Sequence, residues 1–194
     1  MIILIKYVTF YAFSTENWKR SDEEVAGLMK LFEQYIKDVL KDNNKKSYSK
    51  ERTRVIFLGD KSPFAPELRE QMQTLEEKTA EFDGMTLMVA MNYGGRADIV
   101  YAAKRAASML VNKEIKPGDF DESLLGSLLY TRAAPDVDLL IRPGGERRLS
   151  NFLLWQSAYA ELYFTPTLWP DFNAKEFDSI LADFASRNRR FGGV

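Results

Sequence analysis

Apolar residues recur along this chain with two periods, and the switches between them mark out its elements. Ile2–Phe13 is a nearly continuous apolar run, rich in β-branched and aromatic side chains. That is the pattern of a strand covered on both faces. Ser14–Trp18 follows as a loop at the strand's carboxyl end. Ser21, with Glu24 three residues on, makes a capping box for a helix reaching about Leu40. Val25, Leu28, Met29, Phe32 and Ile36 fall on one stripe of that helix. Lys41–Glu51 is polar and charged, a linker-like stretch too short to divide domains. Arg54–Gly59 is a second strand, Pro66–Phe82 a helix with proline near its start, and Thr86–Met91 a third strand. Ala97–Val111 and Phe120–Tyr130 read as helices, Val137–Ile141 as a strand, Phe152–Ala158 as a helix, Leu162–Phe164 as a last short strand, and Asn173–Arg187 as the terminal helix.

Strands alternating with helices predict an α/β fold: a mostly parallel sheet covered by helices on both faces, in a single domain over residues 1–194. Such sheets bind ligands at the carboxyl ends of their strands. Here those ends carry Ser14–Arg20, Gly59-Asp60, Asn92–Arg96 and Arg142–Asn151.

Composition narrows the chemistry. With 45% hydrophobic and 28% charged residues the chain is an ordinary globular one, and its formal net charge of -1 gives no reason to expect nucleic acid as a partner. There is no cysteine, which excludes disulfides and thiol nucleophiles, and no histidine, which excludes Ser-His-Asp triads and His-ligated metals. Any metal must be hard and oxygen-bound, with Mg²⁺ the leading candidate. Met1–Ile5 is too short to span a membrane and lacks the layout of a signal peptide. A cytoplasmic location is expected.

The richest candidate chemistry lies in Asp138–Phe164. A short apolar strand ends in Arg142, Pro143-Gly144-Gly145 breaks the chain, and Glu146, Arg147, Arg148, Leu149 and Ser150 follow. Arginines offer forked donors to phosphate. Glycines let backbone N–H groups come close. Ser150 or Asn151 would cap a helix whose N-terminus attracts anions. The plain alternative is a surface ion-pair cluster around Glu146; the strand end, the Gly-Gly pair and the helix start favour an anion site. Ser14, Asn17, Trp18 and Arg20 serve either a ligand or turn chemistry. Tyr93–Arg96 reads as a tight turn, with Asp98 supporting the first turn of the next helix. Glu161 sits between Tyr159 and Tyr163 in an apolar run. An ion pair with an arginine and a Mg²⁺ ligand both fit it, and the residues alone do not separate the two. Met72, Leu75, Phe82, Leu87 and Met88 could line an apolar tunnel, though core packing is the default for each.

Several segments resemble one family. FYAFSTENWKR at Phe10–Arg20, MNYGGRADI at Met91–Ile99, IRPGGERRLSNFLLWQSAYAELYF at Ile141–Phe164, LWPDF at Leu168–Phe172 and RRFGG at Arg189–Gly193 are similar, in order, to motifs of the cis-prenyltransferases. The resemblance spans essentially the whole chain. It implies condensation of isopentenyl diphosphate with an allylic diphosphate such as farnesyl diphosphate, with a cis double bond made at each step. Undecaprenyl diphosphate, a cell-wall lipid carrier precursor, is the implied product. Mg²⁺, a homodimer and peripheral membrane association through the lipid product are implied as well. Carried over by motif, Arg142, Arg148, Leu149 and Ser150 bind isopentenyl diphosphate, and Glu161 holds Mg²⁺. Asn17 stands at the proton acceptor's place. Ser14, Thr15, Glu16, Trp18 and Arg20 line the substrate site, and Arg190 and Gly192 close over a partner's site.

Two departures shape the expectation. The family opens with a further strand, a diphosphate-binding loop carrying a Mg²⁺-binding Asp, and a helix; Met1–Lys6 holds none of these. Impaired turnover by this chain alone is therefore expected. The Gly-Gly-Glu run is commonly followed by His, where this chain has Arg147, which neither ligates metal nor titrates near neutrality. A non-catalytic accessory subunit and a phosphate-binding α/β module that takes no prenyl chain are the alternatives.

Overall fold

The computed structural model describes residues 4–41 and 51–187. Their strands pair in two parallel sheets, and the chain divides into two compact units. One unit is Leu4–Thr131; the other holds the described residues from Arg132 onward.

The larger unit holds β1 (Tyr7–Ser14), α1 (Asp22–Lys41), β2 (Arg54–Leu58), α2 (Pro66–Thr79), β3 (Thr86–Tyr93), α3 (Gly95–Val111) and α4 (Glu122–Leu128). Its sheet runs β1-β3-β2, all parallel, with Tyr7 and Arg54 both level with Thr86. The central strand β3 is the one that buries a continuous stretch, Ala90 to Tyr93. β1 does not have the two covered faces its sequence predicts: Tyr7 is 40% and Phe10 44% exposed, and only Phe13 is buried. β3 is its one strand neighbour among the described residues. It also begins at Tyr7 rather than Ile2, and Met1–Ile3 lie outside the described residues. A register irregularity between Tyr11 and Ser14 kinks its carboxyl end.

The core gathers Ile36 of α1, Val55 and Phe57 of β2, Phe64, Leu68, Met72 and Leu75 on and before α2, and Met91 of β3. Met72 and Leu75 thus take the core role rather than a tunnel wall. The outward N–H groups of β2 are satisfied by α2: Val55 donates to Thr79 Oγ1 at 3.0 Å and Phe57 to Glu76 Oε1 at 2.7 Å. Lys61 Nζ neutralises Glu76 at 2.7 Å. The Ser21 half of the predicted capping box is present, with Glu24 N donating to Ser21 Oγ, while the Glu24 carboxylate pairs with Arg20. Most of the linker-like stretch lies outside the described residues.

In the smaller unit β4 (Leu139–Arg142) pairs in parallel with β5 (Glu161–Phe164), and α5 (Ala174–Ser186) follows. Asn173 caps α5 through its side chain to Glu176 N. Leu140, Leu153 and Ile180 are buried here. The helix expected over Phe152–Ala158 is absent. Ser150, Asn151 and Leu153 have φ of 49, 64 and 45°, and left-handed L-residues this closely spaced cannot propagate a right-handed helix. The segment runs through turns closed by Phe152 N to Leu149 O and Ser157 N to Leu153 O. Its apolar spacing reflects burial of Leu153 in a turn.

Candidate functional site

At the carboxyl ends of β1–β3 the chain from Ser14 winds into a 3-10 turn, Thr15–Lys19. Asn17 closes it by accepting the Ser14 N–H at 2.7 Å. The turn delivers the Trp18 indole edge-on to Phe13, centroids 5.1 Å apart, and against Phe64 at 5.9 Å. Trp18 Nε1 donates to Asn92 Oδ1 at 2.8 Å, and Asn92 Nδ2 donates to the Asp60 carbonyl at 2.7 Å. One buried amide thus ties together the segments leaving all three strands. Its geometry depends on two special backbones. Asn92 has φ 49°, a conformation Asn tolerates. Gly59 has φ +113°, and a Cβ there would lie 2.2 Å from the Met91 carbonyl oxygen.

These residues frame a pocket of about 430 Å³ lined by Thr15, Trp18, Asp60, Pro63, Asn92, Gly94, Ala97 and Tyr130. Behind its wall the buried carboxylate of Asp98 accepts from Tyr130 N at 2.8 Å and Tyr93 OH at 2.9 Å. Tyr101 stacks on Tyr130 with centroids 4.3 Å apart. Burial, then the nearby Asp60 charge, pushes the Tyr130 phenol above its ordinary range. Tyr11, which donates to the Tyr93 carbonyl, is pushed up to about 12 by burial and then by the Glu16 charge. Both phenols stay protonated at neutral pH, so they serve as donors and not as bases.

Of the residues expected in this segment, Thr15 and Trp18 reach the pocket. Ser14 and Asn17 build the turn, Glu16 accepts from Thr15 Oγ1, and Arg20 pairs with Glu24 on the surface. Pro63 and Tyr130 are pocket residues that the sequence does not single out, and Asp60 and Asn92 are ones it places on the ligand-binding edge without a role. Asp60 and Asn92 do stand at strand ends, the place where a parallel sheet binds its ligands; Tyr130, beyond α4, carries no local signal.

In the smaller unit Arg142 ends β4 and turns its guanidinium back on its own loop. Its Nη1 donates to Ser150 Oγ at 2.6 Å and to the Arg148 carbonyl at 2.5 Å. Arg148 in turn pairs with Glu146. Leu149, half-buried, accepts the Phe152 N–H. Each guanidinium keeps further donors for a ligand. The glycines act otherwise than expected: Gly144 N donates to Thr167 O and Gly145 N to Thr165 O, each at 2.8 Å. Their φ of 97 and 78° shapes the turn, and their N–H groups are spent on the chain itself. The missing helix also removes the helix N-terminus from the expected anion site. What remains is a side-chain site of Arg142, Arg148 and Ser150.

Glu161, first in β5, accepts Arg187 Nη1 at 2.8 Å, and Arg187 also grips Asp183 at 2.6 Å. These bonds, to Glu161 first, raise the Arg187 pKa. The ion-pair reading of Glu161 is thus the one realised in this structure. Among the described residues no three acidic side chains gather as a metal site; a lone carboxylate on a guanidinium does not make one. Arg190 and Gly192 lie outside the described residues. No described helix is long and apolar enough to cross a membrane.

These motifs and this fold recur in known proteins. A family profile described as a putative undecaprenyl diphosphate synthase matches residues 2–192. A ditrans,polycis-undecaprenyl-diphosphate synthase ((2E,6E)-farnesyl-diphosphate specific) of Yersinia pseudotuberculosis is 47% identical over 187 residues, 96% of this chain and 72% of that one. An isoprenyl transferase of Heliobacterium mobile is 47% identical over 98% of this chain and 71% of its own. Among solved structures, lavandulyl diphosphate synthase from Lavandula x intermedia, in complex with dimethylallyl diphosphate, superposes with a TM-score of 0.90 at 37% identity, covering 97% of this chain and 80% of that one. A probable undecaprenyl diphosphate synthase from Campylobacter jejuni gives 0.84 at 36% identity, covering 97% and 84%. None of these likenesses bears out the expectation of impaired turnover. The strand-end pocket and the arginine turn are therefore parts of a prenyltransferase, and the chain belongs to the undecaprenyl diphosphate synthase family.

Proposed function

We propose that this protein condenses isopentenyl diphosphate with farnesyl diphosphate and adds further cis units to reach undecaprenyl diphosphate, a cell-wall lipid carrier precursor. The observation that carries the reading is the Arg142–Ser150 pair at the end of β4, 2.6 Å apart and beside Arg148. It sets forked cations and a hydroxyl in one turn, which suits a diphosphate. In the reaction the allylic C1–O bond breaks and its electron pair leaves with the diphosphate. A new C–C bond forms to C4 of isopentenyl diphosphate, and one proton departs from C2.

Arg142, Arg148 and Ser150 would hold the diphosphate of isopentenyl diphosphate, with Leu149 as its apolar neighbour. The pocket beside Trp18, Pro63 and Ala97 would take the allylic prenyl chain and keep water from a carbon that gains cationic character. Ser14, Thr15, Glu16 and Arg20 would border this site. Asn17 takes the proton-accepting position, its amide oxygen fixed by Ser14. Mg²⁺, which would neutralise diphosphate charge, belongs to the proposal, and Glu161 would offer one ligand only once released from Arg187. A homodimer closed by Arg190 and Gly192, a cytoplasmic location and peripheral membrane contact through the lipid product complete it. Exposed Leu168 (60%) and Trp169 (62%) give a subunit contact apolar material.

The test is incubation with farnesyl diphosphate, radiolabelled isopentenyl diphosphate and MgCl₂. Label should enter butanol-extractable polyprenyl diphosphate, and Arg142→Ala should abolish it. No labelled lipid, together with no measurable binding of isopentenyl diphosphate, would overturn the reading.

A further inference from the structure

We infer that Asn92 is a positioning residue that holds the Trp18 indole as a fixed wall of the prenyl-chain pocket. The inference rests on the proposed use of that pocket. Trp18 is the one large aromatic of the 3-10 turn, and 36% of its surface stays open. Phe13 and Phe64 contact the ring, and such aromatic contacts are weak and tolerate a range of offsets. The Nε1–Oδ1 hydrogen bond at 2.8 Å supplies the direction. Asn92 is itself immobilised: it is 7% exposed, and its Nδ2 is spent on the Asp60 carbonyl at 2.7 Å. The Asp60 N–H returns a bond to the Asn92 carbonyl at 3.4 Å. A wall fixed on the ends of β1, β2 and β3 cannot relax into the space a substrate occupies. An apolar chain pays for no rearrangement on entering such a wall.

Asn also answers a backbone need at φ 49°, so the two roles must be separated. Asn92→Gly keeps that backbone conformation and removes the amide. The protein has three tryptophans, hence three indole N–H signals in a ¹H–¹⁵N spectrum; the one missing in Trp18→Phe belongs to Trp18. In Asn92→Gly that signal should leave its hydrogen-bonded position. Affinity for farnesyl diphosphate alone, where no turnover occurs, should fall about tenfold, the scale of one lost buried hydrogen bond. The double variant Trp18→Phe with Asn92→Gly should bind within about twofold of the weaker single variant, since Asn92 acts through the indole. Asn92→Asp keeps an acceptor for the indole but loses the donor to the Asp60 carbonyl, so the signal should shift less than in Asn92→Gly, a graded readout that stands if Asn92→Gly fails to fold.

An unmoved indole signal in Asn92→Gly, or fully additive losses in the double variant, would overturn the positioning role. If Trp18→Phe itself leaves farnesyl diphosphate affinity unchanged, it is the assignment of the pocket to the prenyl chain that fails.

Discussion

The strand-end pocket of the larger unit and the arginine turn of the smaller one fix polar groups by opposite means. In the pocket, buried and half-buried groups satisfy each other: Trp18 to Asn92, Asn92 to Asp60, Tyr93 and the Tyr130 backbone to buried Asp98. In the turn, exposed charged groups hold one another: Arg142 on Ser150, Arg148 on Glu146, whose side chains are 62% and 53% exposed. Buried bonds cost much to break because the orphaned group cannot turn to water. Exposed ion pairs cost little, which leaves their arginines ready to exchange an internal partner for a ligand. The difference suits a rigid apolar wall in one place and an exchangeable anion grip in the other.

The contrast can be broken experimentally, starting where the effect is largest. Gly59→Ala should destabilise the protein by roughly 3 kcal/mol, from a Cβ driven into the Met91 carbonyl at a left-handed backbone; urea unfolding measures it. A loss below about 0.5 kcal/mol would mean the strand ends yield easily and the pocket is not rigid. Asp98→Asn should cost about 2 kcal/mol by the same measurement, since the amide turns its N–H₂ to the Tyr93 hydroxyl and leaves that hydroxyl's proton without its carboxylate acceptor. Arg142→Lys should leave stability nearly intact while weakening isopentenyl diphosphate binding about tenfold in calorimetry, because an ammonium cannot replace the fork. Glu146→Gln is the smallest, within about 0.5 kcal/mol in stability. Asp98→Asn costing no more than Glu146→Gln would erase the distinction between the two regions.

Alkaline titration probes the buried side separately. Tyr11 ionises at about 12 in the fold, against an ordinary value of 10.0. Between those values the unfolded chain has lost a proton that the folded chain retains, so stability falls as pH rises. Unfolding monitored by circular dichroism should show this decline above about pH 10, and Tyr11→Phe should make it shallower, leaving the part due to the raised Tyr130 phenol.

The legible parts of the sequence were those that local chemistry decides. Ser21 and Glu24 announce the start of α1, Asn173 that of α5, and the apolar runs place five strands within a few residues. The arginine turn is legible as a motif, yet its mechanics are not. Nothing local to Ser150, Asn151 and Leu153 reveals three left-handed backbones, so a helix was the natural expectation. Nor does Gly-Gly say that its amides are already bonded to Thr165 and Thr167, because those partners come from a distant turn. The same holds for Asn92: its bonds reach Trp18 and Asp60, 74 and 32 residues away. β1 reads as a buried strand because its composition reports apolarity, whereas coverage is set by how many neighbours the sheet supplies.

The side-chain seal along β2 bears on how this protein fares at high concentration. A strand edge with open amides is a growth point for filaments, since any extended segment can dock on it and offer a new edge in turn. On β2 the Val55 and Phe57 amides are already held by Thr79 and Glu76, and Lys61 holds Glu76 in place. Polymer growth from that side would have to strip a helix of its bonds first. The pair Thr79→Val with Glu76→Leu would lift that protection, and shortened lag times in thioflavin assays would reveal it.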